Sequence, residues 1–167
     1  MSTAVPDACT PAWAHSVGVI DLQPVGTVPS ELTQLADRLM VTETVSRYGI
    51  AYDERRLDVL ESLMTETAAF SYRFGEGAPV GYTGRAAVIA WLEDVMTSQA
   101  DQRRHLMSNI LVERLTASEA TVIAYTAIFG IEHEAKLITT GVYAFELVKH
   151  DNRWLIAEGI DALDRPF

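Results

Sequence analysis

The chain has 167 residues, 13 Lys and Arg against 23 Asp and Glu, and a formal net charge of −10 at pH 7. That length suits one domain with a sizeable core, and so acidic a chain lacks the clustered cations that nucleic acid or an anionic membrane would require of a partner. A single cysteine, Cys9, excludes an internal disulfide and a cysteine-based metal site.

Nothing near the start reads as an export signal, and no run approaches the roughly 18 consecutive apolar residues of a membrane span, so a cytoplasmic protein is expected. Residues 1–29 hold Pro6, Pro11, Pro24 and Pro29 among scattered apolar side chains such as Trp13, Val17, Val19 and Ile20, with no sustained period. This reads as an N-terminal arm that packs on the domain or on a neighbouring subunit. The domain itself is expected over residues 30–167.

Ser30 is placed to accept a hydrogen bond from an orphan N–H at a helix start. Leu32, Leu35 and Leu39, then Val45, Tyr48 and Tyr52, recur at helical steps to about Tyr52, and Asp53 closes that stretch. Leu57, Leu60, Leu63 and Met64 predict a second, shorter helix. Ala68 to Phe74 alternates as a strand with Phe70 and Tyr72 on one face, and Gly75, Gly77, Pro79 and Gly81 mark a hairpin. Thr83-Gly84 opens a third helix through Val88, Trp91, Val95 and Met96.

Four strands follow, over about 104–113, 120–129, 137–149 and 154–160, with His150-Asp151-Asn152-Arg153 as the last hairpin turn. In the first of these, alternation sets His105, Met107, Asn109 and Leu111 on one face. In the third, Gly141, Tyr143, Phe145 and Leu147 share a face; in the fourth, Trp154, Ile156, Glu158 and Ile160. The class is α+β: three helices packed on a curved, mostly antiparallel sheet, with a cavity between them.

Several of these stretches together resemble the SnoaL-like branch of the nuclear-transport-factor-2-like superfamily. They are Ser46-Arg47-Tyr48-Gly49-Ile50-Ala51-Tyr52-Asp53, the 57–64 segment, Thr83-Gly84-Arg85, Arg104-His105-Leu106-Met107-Ser108-Asn109 and the Asp151-Asn152-Arg153-Trp154 turn. The likeness spans about residues 30–162. It implies a cone-shaped domain whose pocket hosts dehydratases, isomerases, cyclases, hydrolases or non-catalytic binding modules. Within the superfamily, Tyr52-Asp53, Tyr72 and His105 resemble the pocket residues of scytalone dehydratases, while Gly141 and Tyr143 stand where those enzymes carry Ser and Asn. Tyr48 resembles the oxyanion tyrosine of ketosteroid isomerases, but Tyr72 occupies the place of their aspartate base.

A carboxylate beside an imidazole fixes its tautomer and stabilises the imidazolium that forms when it takes a proton. Asp53 and His105 are therefore the candidate acid–base pair, with Tyr52 and Tyr72 as candidate donors to a developing oxyanion. Tyr48, Met107, Asn109, Trp91, Phe129 and Tyr143 are expected to wall the substrate. Plain structural roles stand beside these: Asp53 is also placed to cap the next helix, and tyrosines commonly fill cores. Glu132-His133-Glu134 groups possible metal donors, but neighbours in a turn rarely converge on one ion, so no metal is expected. The expectation is a cofactor-independent dehydratase, isomerase or cyclase acting on an apolar, oxygenated small molecule of polyketide or terpenoid type, in a homo-oligomer, dimer or trimer. The rival is a non-catalytic ligand-binding or scaffold module like the small subunit of ring-hydroxylating dioxygenases.

Overall fold

In the computed structural model, which describes residues 13–20 and 31–166, the chain runs α1 (Trp13–Ser16), α2 (Leu32–Asp53), α3 (Leu57–Ser62), β1 (Met64–Phe74), β2 (Val80–Thr83), α4 (Arg85–Ser98), β3 (Gln102–Leu115), β4 (Glu119–Ile131), β5 (Ala135–His150) and β6 (Arg153–Leu163). Cys9 and Ser30, with the other arm residues in 1–12 and 21–29, lie outside the described residues. The six strands form one sheet in the order β2-β1-β6-β5-β4-β3. Every pairing is antiparallel except β1 with β6. The class is α+β, with two main helices, α2 and α4, rather than three. The segment expected as a second helix stops after six residues because the sheet captures it: Leu63 C=O accepts from Ile156 N–H, and Met64 already pairs with Ile156.

Helix α2 divides at its middle. Leu32 and Leu39 are exposed, whereas Val41, Val45, Tyr48 and Tyr52, spaced by three and four residues, are buried against the inner sheet face. The upper half is tied down by Asp37, whose carboxylate accepts from Lys149 Nζ at 2.7 Å and Trp154 Nε1 at 3.0 Å. At the far end Arg55, at φ 53°, turns the chain out of the helix; its N–H reaches Tyr52 C=O and the N–H of Arg56 reaches Ala51 C=O. That double closure is a Schellman cap, with an arginine in the left-handed position that glycine usually fills. Arg55 Nη2 donates to Gln99 C=O at 2.7 Å, which holds it there.

Gly49 lets α2 lie close on β3. A β-carbon there would sit 3.1 Å from Met107 Cγ and 3.6 Å from His105 Cβ.

Several register shifts interrupt the ladders, and two of them, in β3 and β6, move residues off the faces read from the sequence. In β3 the register moves from Ser108↔Tyr125 to Leu111↔Ile123, and the extra residue, Asn109, takes φ 49°. His105 and Met107 point inward before it, Ile110 and Val112 after it, so Leu111 turns to the outer face. In β6 the step from Glu146↔Glu158 to Leu147↔Ile156 makes Ala157 the extra residue. Trp154 and Ile156 face inward; beyond the bulge Gly159, Asp161 and Leu163 do, and Glu158 and Ile160 leave the face they were expected to share. Gly159 leaves room there for the buried Phe70 ring, since a β-carbon would fall 2.2 Å from its Cε1.

A second, smaller apolar cluster lies on the outer sheet face, where Ala14 and Val19, backed by Trp13, pack on Val142 and Ala162. Trp13 Nε1 donates to Asp164 at 2.8 Å. Glu132-His133-Glu134 is the exposed turn between β4 and β5. Among the described residues no helix is long and apolar enough to cross a membrane.

Candidate active site

The Schellman cap ends α2 with Asp53 facing β3, and β3 presents His105 to it. Asp53 Oδ1 lies 2.5 Å from His105 Nδ1, while Oδ2 accepts from the His105 backbone N–H at 2.7 Å. Both side chains are almost sealed, at 7% and 4% exposure. The carbonyl of Asp53 is held as well, by Gln102 Nε2 at 2.6 Å. A carboxylate can only accept from the ring, so Nδ1 carries the hydrogen and Nε2, across the ring, keeps the lone pair. The Tyr52 ring meets the imidazole edge-on, with centroids 4.7 Å apart. Asp53 does not cap α3, whose first turn has no side-chain cap.

His105 forms part of the wall of a cavity of about 250 Å³ between the inner sheet face, α2 and α4. Five aromatic residues stand in the wall: Tyr52, Tyr72, Phe74, Trp91 and Tyr143. Trp91 stacks between Tyr72 and Tyr82, at 5.7 Å and 5.0 Å with interplanar angles of 7° and 13°. Gln99 Nε2 donates to Tyr52 Oη at 3.0 Å. Burial pushes the Tyr52 hydroxyl up to about 12 against that hydrogen bond, and lifts the Tyr143 hydroxyl well above the usual phenol range. These hydroxyls stay neutral donors at any ordinary pH. Arg103, ion-paired with Asp101 at 2.7 Å, also reaches the wall.

Of the residues singled out in the sequence, His105, Tyr52, Tyr72, Trp91 and Tyr143 meet at this cavity, with Asp53 directly behind His105. Four others lie elsewhere. Tyr48 is fully buried in an aromatic cluster with Phe70, Tyr143 and Phe145. Met107 is spent packing on Gly49. Asn109 is carried outward by its own bulge, into a separate pocket with Ile20 and Tyr125. Phe129 pairs with Arg104, next to inward His105, and so faces outward; its neighbour Ile128 lines the cavity instead.

Sequence reasoning passed over Asp161. It lies in β6 between Tyr143 of β5 and Tyr72 of β1, is 8% exposed, and lines the cavity. The signal for it was an acidic residue set among the apolar Ile160, Ala162 and Leu163. Among the described residues no group of three or more His, Cys, Asp or Glu is placed to hold a metal ion.

A curved sheet folded over helices around a histidine-bearing hollow is the nuclear-transport-factor-2-like, cystatin-like fold. The SnoaL-like domain family matches residues 33–159, and the chain belongs to it. No curated protein matches the chain. Among solved structures, it is similar to a proposed scytalone dehydratase from Novosphingobium aromaticivorans (23% identity, 78% of this chain and 85% of that one, TM-score 0.65). It is also similar to a hexachlorocyclohexane dehydrochlorinase from Novosphingobium barchaimii (21%, 78% and 88%, 0.65). A third likeness is to the β subunit of a proposed aromatic-ring-hydroxylating dioxygenase from N. aromaticivorans (14%, 82% and 94%, 0.69). At such identities these likenesses establish the fold.

Proposed function

We propose that the protein is a cofactor-independent lyase or isomerase of the dehydratase or cyclase type. Its substrate is an apolar, oxygenated small molecule, polyketide- or terpenoid-like, from which His105 removes a proton at a carbon next to a carbonyl. The observation that carries this reading is the 2.5 Å contact between Asp53 and His105 at the wall of an aromatic cavity. Asp53 acts as a positioning residue: it fixes the tautomer and balances the charge the imidazole gains. Tyr52 and Tyr72 place hydroxyl groups in the same wall, suited to donate to a developing enolate oxygen. Two of the structural relatives are named for eliminations, of water and of hydrogen chloride. The test is deuterium uptake at the α-carbon of a panel of aryl ketones in D₂O, followed by proton NMR. Wild type should catalyse exchange and His105→Gln should lose about 10²–10⁴-fold; equal rates would end the proposal.

A second reading, a non-catalytic binding or scaffold module, draws on apolar side chains left on the outer sheet face, among them Leu106, Tyr125 and Leu137. On the same surface we place the proposed homo-oligomer contact. Sedimentation equilibrium, with co-purification of any larger subunit, separates a self-associating enzyme from a scaffold.

A further inference from the structure

We infer that Asp161 is the acid of this cavity: as a neutral carboxylic acid it donates a hydrogen bond to the carbonyl oxygen of the substrate, which makes the ligand class a ketone with its α-carbon toward His105. The inference rests on the proposed proton abstraction for its chemistry, and on the shape of the cavity for its geometry. Asp161 points inward from β6, flanked across the strands by Tyr143 and Tyr72, and lines the same hollow as His105, Tyr52 and Trp91. Its Oδ1 is buried with no hydrogen-bond partner. By contrast Asp53, behind His105, and Tyr52, in the cavity wall, are both hydrogen-bonded. A buried polar atom without a partner is costly, and a site built around one is a site that a ligand completes.

The charge state follows from what surrounds the group. The titratable and charged side chains that neighbour it or share its cavity are Tyr48 and Tyr52 from α2, Tyr72 from β1, Arg103 and His105 from β3 and Tyr143 from β5, with Asp53 behind His105. Of these the one permanent cation, Arg103, is ion-paired with Asp101. Burial accordingly lifts the Asp161 pKa to about 7. The protonated acid offers one O–H donor. An ammonium ligand is disfavoured, because Arg103 and the imidazolium formed at His105 would share the cavity with it.

The two groups then divide one reaction. The C–H bond beside the carbonyl breaks, its proton goes to His105 Nε2, and its electron pair forms a C=C bond. The carbonyl π pair moves onto the oxygen that Asp161 faces. If a hydroxyl occupies the β-carbon, the C=O re-forms and the C–O bond to that hydroxyl breaks. The imidazolium returns its proton to the leaving group, which departs as water.

The probe is 2-naphthol, a planar apolar ring bearing an enol-type oxygen, with binding followed by fluorescence on the full chain. His105→Gln serves as the background for a pH series, so that no imidazole titrates. Asp161→Leu should weaken binding about tenfold, the loss expected of one hydrogen bond, while Asp161→Asn, which keeps an N–H donor, stays within about threefold. In the Asp161 protein affinity should fall as pH rises through 7; in Asp161→Asn it should stay flat. Unchanged binding in Asp161→Leu, pH dependence that survives in Asp161→Asn, or tighter binding of 2-naphthylmethylammonium than of 2-naphthol would each overturn the assignment. If the leucine variant does not fold, the pH series on the other two decides. Failure of the base assignment looks different: ketone exchange survives His105→Gln while the naphthol results stand.

Discussion

The two polar ends of the cavity are built on opposite terms. At the helix end, the Asp53 carboxylate accepts from two N–H groups of His105 and its carbonyl from Gln102. At the sheet end, Asp161 keeps an oxygen with no partner although it is equally buried. A satisfied group gives geometry, because moving it forfeits hydrogen bonds; an unsatisfied one costs stability and is retained where a ligand offers what the fold withholds.

Variants at each end sharpen this contrast. The largest effect is expected for His105→Gln, with catalysed ketone exchange falling about 10²–10⁴-fold while thermal unfolding changes little. Next comes Asp161→Asn, whose effect is on stability. The folded-state value of about 7 lies above the ordinary carboxylate value, so the native state holds an extra proton between about pH 4 and 7. Wild-type stability therefore falls as pH rises through that window, by on the order of 4 kcal/mol, and the amide variant should not follow it. Urea unfolding at pH 4 and pH 8 measures this: the two proteins should match at the lower pH and separate at the higher.

Asp53→Asn should sit between the two ends. An amide can turn its NH₂ toward Nδ1 and stabilise the wrong tautomer, so exchange drops by about 10²-fold or more while the fold survives. Gly159→Ala should cost about 1–3 kcal/mol, because the Phe70 ring it would strike is fully enclosed. The smallest change is expected from Asp37→Ala, about 1–2 kcal/mol, from loss of the Lys149 and Trp154 contacts far from the cavity, with exchange per folded molecule unaltered. Burial works against ionisation of Asp37, but hydrogen bonds from Lys149 and Trp154 outweigh it and hold the carboxyl below its usual value. Its contribution should persist above the ordinary carboxylate range and vanish on strong acidification.

The helix end was legible in the sequence because it depends on local signals. A helical stripe terminates at Tyr52-Asp53, and a polar break follows it; a histidine sits near the start of a strand, before any irregularity has accumulated. The sheet end was not. Strand alternation carries no warning of an inserted residue, so reading straight through Asn109 sent it and Leu111 inward, and reading straight through Ala157 sent Glu158 and Ile160 inward. Stopping the last strand at Ile160 then left Asp161 outside it altogether, although β6 continues to Leu163. The early end of α3 escaped for a related reason: the pairing that converts Met64 to strand is with Ile156, 92 positions along the chain, and no local pattern encodes it.

That same long-range pairing bears on how the protein matures. β6 is the final strand in sequence, yet it is inserted between β5 and β1, and its contact with β1 is the sheet's sole parallel one. Loop-closure entropy for such a junction must be met before its contacts form, which makes it a late event in folding. Until it zips in, Tyr72 and Tyr143 have nothing between them, and a nascent chain carries His105 and Asp53 without an acid opposite. The proposed site is therefore complete only once β6 lies between β5 and β1.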